Sequence, residues 1–172
     1  MDKNRCVFLD RDGVLNEEIG RHVVKAEEFV VKKGVSEGLK KLKEAGFLLI
    51  VITNQSGVAR GYYGEDFVLE CHQRLQEVCG HVLDDLYYAP GLDEVSKTLS
   101  RKPDSLMIER AMAKYNIDPA QSWMVGDKKR DLIPARKWGV STIHLTQSAV
   151  WEHADVHCSD FSQVVEHILA VN

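Results

Sequence analysis

Short apolar runs alternate with segments of helical period from one end of the chain to the other, the pattern of an α/β fold with a mostly parallel sheet. The first run, Cys6 to Leu9, ends in Asp10. Val35, Leu39, Leu42 and Ala45 follow a helical period, and Gly46 stands where a helix C-terminal glycine belongs. Phe47 to Ile52 is apolar throughout, which marks a strand covered on both faces. A helix burying Phe67, Cys71, Leu75 and Val78 is expected next, then a strand at Leu86-Tyr87-Tyr88. Asp104 or Ser105 caps a helix running to about Tyr115, and Asp118-Pro119 marks a turn. Trp123-Met124-Val125 reads as a strand ending at Gly126-Asp127. Leu132 to Trp138 reads as a helix closed by Gly139, with Pro134 confining its regular part to the residues from there on. Thr142 to Leu145 is a further strand and Phe161 to Val171 the closing helix. No repeat, low-complexity tract or linker divides the chain, so residues 1–172 are expected to form one domain.

In a sheet of this kind the residues just past the carboxyl ends of the strands form the binding crevice. Those residues are Asp10-Arg11-Asp12-Gly13, Thr53-Asn54-Gln55-Ser56-Gly57 and Gly126-Asp127-Lys128, with Arg101-Lys102-Pro103 before a helix. Asp10 and Asp12, two apart, can lean toward one side, where their charges repel unless a hard cation such as Mg²⁺ lies between them. Asp127 offers a third protein oxygen, giving an expected metal set of Asp10, Asp12 and Asp127. Thr53 and Lys102 offer a donor and a charge to the oxygens of a bound phosphate, which is what phosphoryl transfer requires. With no Ser-His or Cys-His arrangement apparent, a carboxylate nucleophile forming an aspartyl-phosphate is the simplest reading. Taken singly, each of these features is an ordinary turn or surface residue; their joint placement at four element ends carries the argument.

Composition narrows the function further. Apolar residues are 44% and charged residues 28% of 172, an ordinary globular balance, and the formal charge is −4. That charge speaks against a nucleic-acid partner. The longest apolar run is far short of the ~20 residues a membrane helix needs, and the N-terminal run is too short for a secretory leader, so no membrane partner and a cytoplasmic location are expected. A monomer is expected as well. Cys6, Cys71, Cys79 and Cys158 are scattered without a CxxC pair and read as buried free thiols. His153 and His157 have i, i+4 spacing but no further ligand nearby, so no metal is assigned to them.

The motifs resemble those of the haloacid dehalogenase superfamily of phosphohydrolases over essentially the whole chain: Asp10-Arg11-Asp12-Gly13-Val14, Thr53, Lys102, and Gly126-Asp127 with Asp131 behind. The resemblance implies a Rossmann-like fold with a parallel central sheet and helices on both faces. It also implies Asp10 as nucleophile, Asp12 as general acid and base, and Mg²⁺ as cofactor. An acid at the second Asp position marks the phosphatases of that superfamily. Within it the chain is similar to the D-glycero-D-manno-heptose 1,7-bisphosphate phosphatases, through Phe8 to Gly13, Thr53 to Gly61, Tyr87-Tyr88, Arg101 to Pro103 and Met124 to Lys128. That similarity implies a small sugar phosphate as partner and removal of the 7-phosphate. It assigns substrate contacts to Asn54, Gln55, Ser56, Arg60, Arg101 and Lys128, and places the segment from Glu18 to Arg21 over the site. Asp131 is left open between ligand and support.

The chain departs from these relatives where many carry a zinc-binding loop of the type Cys-x-His followed by Cys-x-Cys. The corresponding positions are Ala89, Gly91, Thr98 and Ser100, which offer neither thiolate nor imidazole, so no zinc is expected. The intervals between Asp12 and Thr53 and between Thr53 and Arg101 are already filled by predicted elements, which leaves no room for a lid and predicts a capless site. Arg21, Arg60, Arg101 and Lys128 are candidates for holding a second anion. Competing readings are histidinol-phosphate phosphatase, which would favour acidic rim groups, and polynucleotide 3′-phosphatase, which the acidic charge disfavours. A phospho-receiver or binding domain without turnover is the competitor from another class. It would carry its phosphoacceptor after a later strand.

Overall fold

In a computed structural model, which describes residues 3–171, there are six strands, one more than the apolar pattern predicts, and the five α-helices that it predicts. The strands are β1 (Cys6–Leu9), β2 (Leu48–Asn54), β3 (Asp85–Ala89), β4 (Trp123–Gly126), β5 (Ser141–Leu145) and β6 (Val156–Cys158). The helices are α1 (Val35–Glu44), α2 (Glu65–Cys79), α3 (Leu106–Tyr115), α4 (Lys129–Lys137) and α5 (Phe161–Val171). All strand pairs are parallel, in the order β3-β2-β1-β4-β5-β6. The chain winds outward from β1 to β2 and β3 on one side, then returns to place β4 on the other. The switch point of this doubly wound sheet therefore lies between β1 and β4, where Asp10 and Asp127 emerge.

Alternation along each central strand divides the core. Val7, Leu9, Leu49 and Val51 face the side covered by α1, α2 and α5, whereas Cys6, Phe8, Ile50 and Ile52 face α3 and α4. Burial on both faces is why the central strands read as unbroken apolar runs. All four cysteines are free and buried. Between Asp12 and Thr53 lie a loop with one 3₁₀ turn and α1; between Thr53 and Arg101 lie α2, β3 and a loop. Among the described residues no cap domain interrupts the fold. Among the described residues no helix is long and apolar enough to cross a membrane.

Three expectations need adjustment. The buried side of α2 is Val68, Cys71, Leu75 and Cys79, with Val78 half exposed; both sets have helical spacing, and the core selects the one rotated slightly. Helix α4 begins at Lys129, ahead of the expected Leu132, because the Asp131 carboxylate accepts the Lys128 backbone N–H (3.0 Å) and starts the helix early. Pro134 then lies inside it, the sixth of nine residues, which forgoes one intrahelical bond. Strand β6 is additional: three residues, paired with β5 through His144 and His157.

Candidate active site

Asp10 continues the β1 ladder, its N–H donating to Val125 O (3.0 Å), and its side chain turns into the crevice between β1 and β4. Lys102 reaches the same point from the loop before α3. Its ammonium is 99% buried and donates to Asp10 Oδ1 (2.6 Å) and Ile52 O (2.7 Å), with Asp131 Oδ1 at 2.8 Å. The loop is fastened by Asn54, whose amide accepts from Lys102 N (2.9 Å) and donates to Lys102 O (3.0 Å). Burial and then the Asp131 charge push the Asp10 carboxyl up from 3.8 to about 7, against the pull of Lys102. Burial raises Asp127 as well, opposed by the hydrogen bond from Lys128 (2.7 Å).

Asp10, Asp127 and Asp131 each bring a carboxylate oxygen within 4.8 Å of the others. Asp127 Oδ1 is buried and without a hydrogen-bond partner. Crowded hard oxygens with raised carboxyls and one unpartnered atom fit a hard divalent cation such as Mg²⁺. The backbone yields at two places to make this possible. A Cβ at Gly13, where φ is +89°, would lie 2.4 Å from Asp127 Oδ2, and one at Gly126 would meet Asp131 Cβ at 2.4 Å. Gly13→Ala is therefore expected to displace Asp127 and weaken Mg²⁺ binding roughly tenfold or more, read by equilibrium dialysis.

Asp12, expected among the ligands, is engaged elsewhere. Its carboxylate accepts from Arg11 (3.1 Å), Asn16 Nδ2 (3.0 Å) and Gln55 Nε2 (2.8 Å), and Asp131 takes its place in the carboxylate cluster. The cause is the near-complete burial of Arg11, whose guanidinium claims the closest carboxylate. Burial alone would raise Asp12, but the Arg11 charge and the two amide hydrogen bonds outweigh it and hold the carboxyl below the usual range.

Gln55 is a hub rather than an open contact. It is 98% buried, donates also to Thr53 Oγ1 (2.9 Å), and accepts from Arg11 (3.0 Å) and Tyr63 (2.9 Å). Thr53 lies buried beneath it. Over this floor opens a cavity of about 630 Å³ whose walls include Asp12, Asn54, Gln55, Ser56, Arg60, Arg101 and Lys128. Every member of the expected substrate set thus borders one space. Thr53, Lys102 and Asp127 lie behind that lining, bonded to Gln55, Asn54 and Lys128, and Asp10 is reached through Lys102. The segment around Glu18 and Arg21 lines it too. The rim cations are paired: Arg21 with Glu28 (2.6 Å), Lys128 with Glu18 (3.2 Å), Arg60 near Glu94 (3.7 Å) and Arg101 near Asp93 (3.6 Å). Five lining residues were not anticipated: Glu17, His22, Val23, Tyr63 and Arg130. Arg130 is the second residue of α4, two positions past the Gly-Asp-Lys string. His22, with Nε2 3.2 Å from Ser56 Oγ, is a lone histidine in a loop without a motif to flag it.

At the positions where the relatives named above would hold zinc, Thr98 Oγ1 and Ser100 Oγ share a hydrogen bond (3.0 Å). Arg101 Nη1 donates to Gly91 O (3.3 Å) across the same loop.

Residues 3–139 match the model of the haloacid dehalogenase-like hydrolase family. A D-glycero-beta-D-manno-heptose-1,7-bisphosphate 7-phosphatase of Haemophilus ducreyi is 44% identical over 147 residues, covering 80% of each chain. An enzyme of the same name from Helicobacter pylori is 35% identical over 98% of this chain and 99% of its own. Among solved structures, the D,D-heptose 1,7-bisphosphate phosphatase of B. bronchiseptica, complexed with magnesium and phosphate, superposes with a TM-score of 0.88. It is 26% identical, over 98% of this chain and 99% of that one.

Proposed function

The chain belongs to the haloacid dehalogenase-like hydrolase family, and from that premise we propose that it is a Mg²⁺-dependent phosphatase removing the 7-phosphate of D-glycero-D-manno-heptose 1,7-bisphosphate. The observation that carries the reading is the buried Asp10–Lys102 pair beside Asp127 and Asp131, joined through Asn54 and Lys128 to a cavity walled by cations. Names shared by relatives at up to 44% identity support the choice of substrate.

In this reading Asp10 attacks phosphorus, and the bond from phosphorus to the sugar oxygen breaks. Thr53 and Lys102 hold the phosphoryl oxygens while charge moves onto them. Asp12 gives a proton to the departing oxygen. It then takes one from the water that attacks the aspartyl-phosphate and returns Asp10. The lowered Asp12 carboxyl is ionised, which suits the base step; for the acid step it first takes up a proton, supplied by solvent or by the substrate's phosphate. Asp10, Asp127 and Asp131 would hold Mg²⁺, which when bound supplies the positive charge that phosphoryl transfer needs. Asn54 and Gln55 act by holding Lys102 and Asp12 in place. Ser56, Arg60, Arg101 and Lys128 face the sugar and its second phosphate. Glu17 and Glu18 on the rim are outnumbered by cations, so an anionic substrate is favoured over an amine.

A panel of phosphate esters tests the proposal: both anomers of the heptose bisphosphate, histidinol phosphate, a 3′-phosphorylated oligonucleotide and a generic aryl phosphate. The heptose bisphosphate should give the highest kcat/KM, with inorganic phosphate released from position 7. Turnover should vanish with a chelator and return with Mg²⁺, and elemental analysis should find no stoichiometric zinc. Preference for histidinol phosphate would overturn the substrate; turnover with chelator present would overturn the cofactor.

Arg101 offers a sharper check on the second phosphate. Its planar fork matches phosphate oxygens, and a charge-assisted contact of this kind carries about 1.5–3 kcal/mol, roughly ten- to a hundredfold in kcat/KM. Arg101→Ala is expected to lose that much on the bisphosphate and much less on the aryl phosphate. Equal losses would mean that Arg101 serves mainly to fasten the loop through Gly91.

A further inference from the structure

We propose that His144 is a positioning residue for the cation site, holding the backbone of Asp127 so that its carboxylate faces the cluster. The inference rests on reading Asp10, Asp127 and Asp131 as the Mg²⁺ ligands. His144 lies on β5 and is the ladder partner of Gly126, the residue before Asp127. It is 95% buried, although imidazoles are more often found partly exposed. Nε2 stands 3.0 Å from Asp127 O, and Nδ1 accepts the backbone N–H of Trp151 (3.1 Å). A ring nitrogen that accepts an N–H carries no proton, so these partners assign the proton to Nε2, which donates it to the Asp127 carbonyl.

That bond falls one residue beyond the last β4–β5 register pair, where the ladder no longer fixes the chain. Gly13 supports the Asp127 carboxylate from one side and Lys128 holds Oδ2, which leaves Oδ1 buried and unpartnered. His144 adds the third restraint, on the main chain itself. Its own orientation is set by the loop carrying Trp151 and by the ring of His157, edge-on at 5.9 Å. A ligand restrained at backbone and side chain loses less freedom when a cation arrives, and groups of this supporting kind are commonly worth ten- to a hundredfold in metal affinity.

Two substitutions separate the two nitrogens. In His144→Gln the amide nitrogen stands near the Nε2 position and keeps the donor toward Asp127. In His144→Asn the carbonyl stands near Nδ1, keeps the acceptor for Trp151 and offers Asp127 nothing. Equilibrium dialysis of Mg²⁺ against each metal-free protein should show Kd raised about ten- to a hundredfold in His144→Asn and within about threefold of wild type in His144→Gln. If His144→Asn does not fold, His144→Leu replaces it with the same expectation, since Leu fills much of the ring's volume and has no donor. Unchanged binding in the donor-less variant would overturn the inference, as would equal loss in both, which would make the ring a packing element. A wild-type chain that binds no Mg²⁺ would bring down the metal reading itself, an outcome distinguishable from either.

Discussion

Asp10→Asn is expected to lower turnover of every phosphate ester by roughly a thousandfold or more, because an amide of the same shape cannot attack phosphorus. The fold should survive. Asp10 is buried, and its charge is opposed by Asp131, Asp127 and Asp12, with Lys102 pulling the other way. Lys102 keeps Asp131 and Ile52 O as partners when Asp10 loses its charge. The substitution should also change how stability depends on pH in the metal-free protein. Folding raises the Asp10 carboxyl from 3.8 to about 7, so within that window the folded chain holds a proton that the unfolded chain has lost. This contribution is fully present below the unfolded value and is lost as pH rises through the folded one. Urea unfolding of metal-free wild type should therefore show a decline in stability across the window that Asp10→Asn lacks. Residual turnover above a few per cent of wild type would sink the nucleophile assignment, and an identical pH profile would sink the electrostatic one.

Lys102→Met should have the largest effect on stability. The ammonium stands between Asp10 and Asp131, and its removal leaves buried carboxylates facing one another without the charge between them. Breaking a buried pair by removing one partner costs about 3–5 kcal/mol. For a chain of this length that is a fall in Tm of roughly 6–20 °C. Added Mg²⁺ should restore part of the loss, because the cation returns positive charge to the same oxygens. The deficit should also shrink in acid, where the carboxylates are protonated. A variant as stable as wild type at neutral pH without metal would contradict the arrangement. Phosphatase activity should be lost in either case, since the phosphoryl oxygens lose their charged partner.

The legibility of the chain followed the length of its signals. Phe47 to Ile52 was readable as a central strand because both faces are buried, and Asp10 was placed by the strand that ends at it. Val156 to Cys158 was not readable, because three residues with a histidine at the centre carry no periodicity and become a strand only by pairing with β5. Within the site, the crevice and its motifs were legible, but the direction each side chain takes was not. Asp12 turns to Arg11 instead of the cluster, and Gln55 turns inward to Thr53 and Asp12. Spacing along a strand end cannot tell which of several neighbours wins a carboxylate. His144 shows the same limit: its partner is the backbone of a residue 17 positions away, and nothing in its local sequence marks it.

The loop that closes the rim through Thr98, Ser100 and the Arg101–Gly91 contact has a consequence for life under oxidants. A thiolate-bound zinc loop is exposed to peroxide and to competing chelators, and its loss would disturb the arginine next to it. Here the rim is joined by hydroxyls and a carbonyl, which peroxide leaves alone. The four thiols the chain does carry are buried, and burial pushes each of them up and away from the reactive thiolate form, Cys79 to about 11. Neither the Thr98–Ser100 nor the Arg101–Gly91 contact is made by a thiol, so oxidation of a cysteine breaks neither of them.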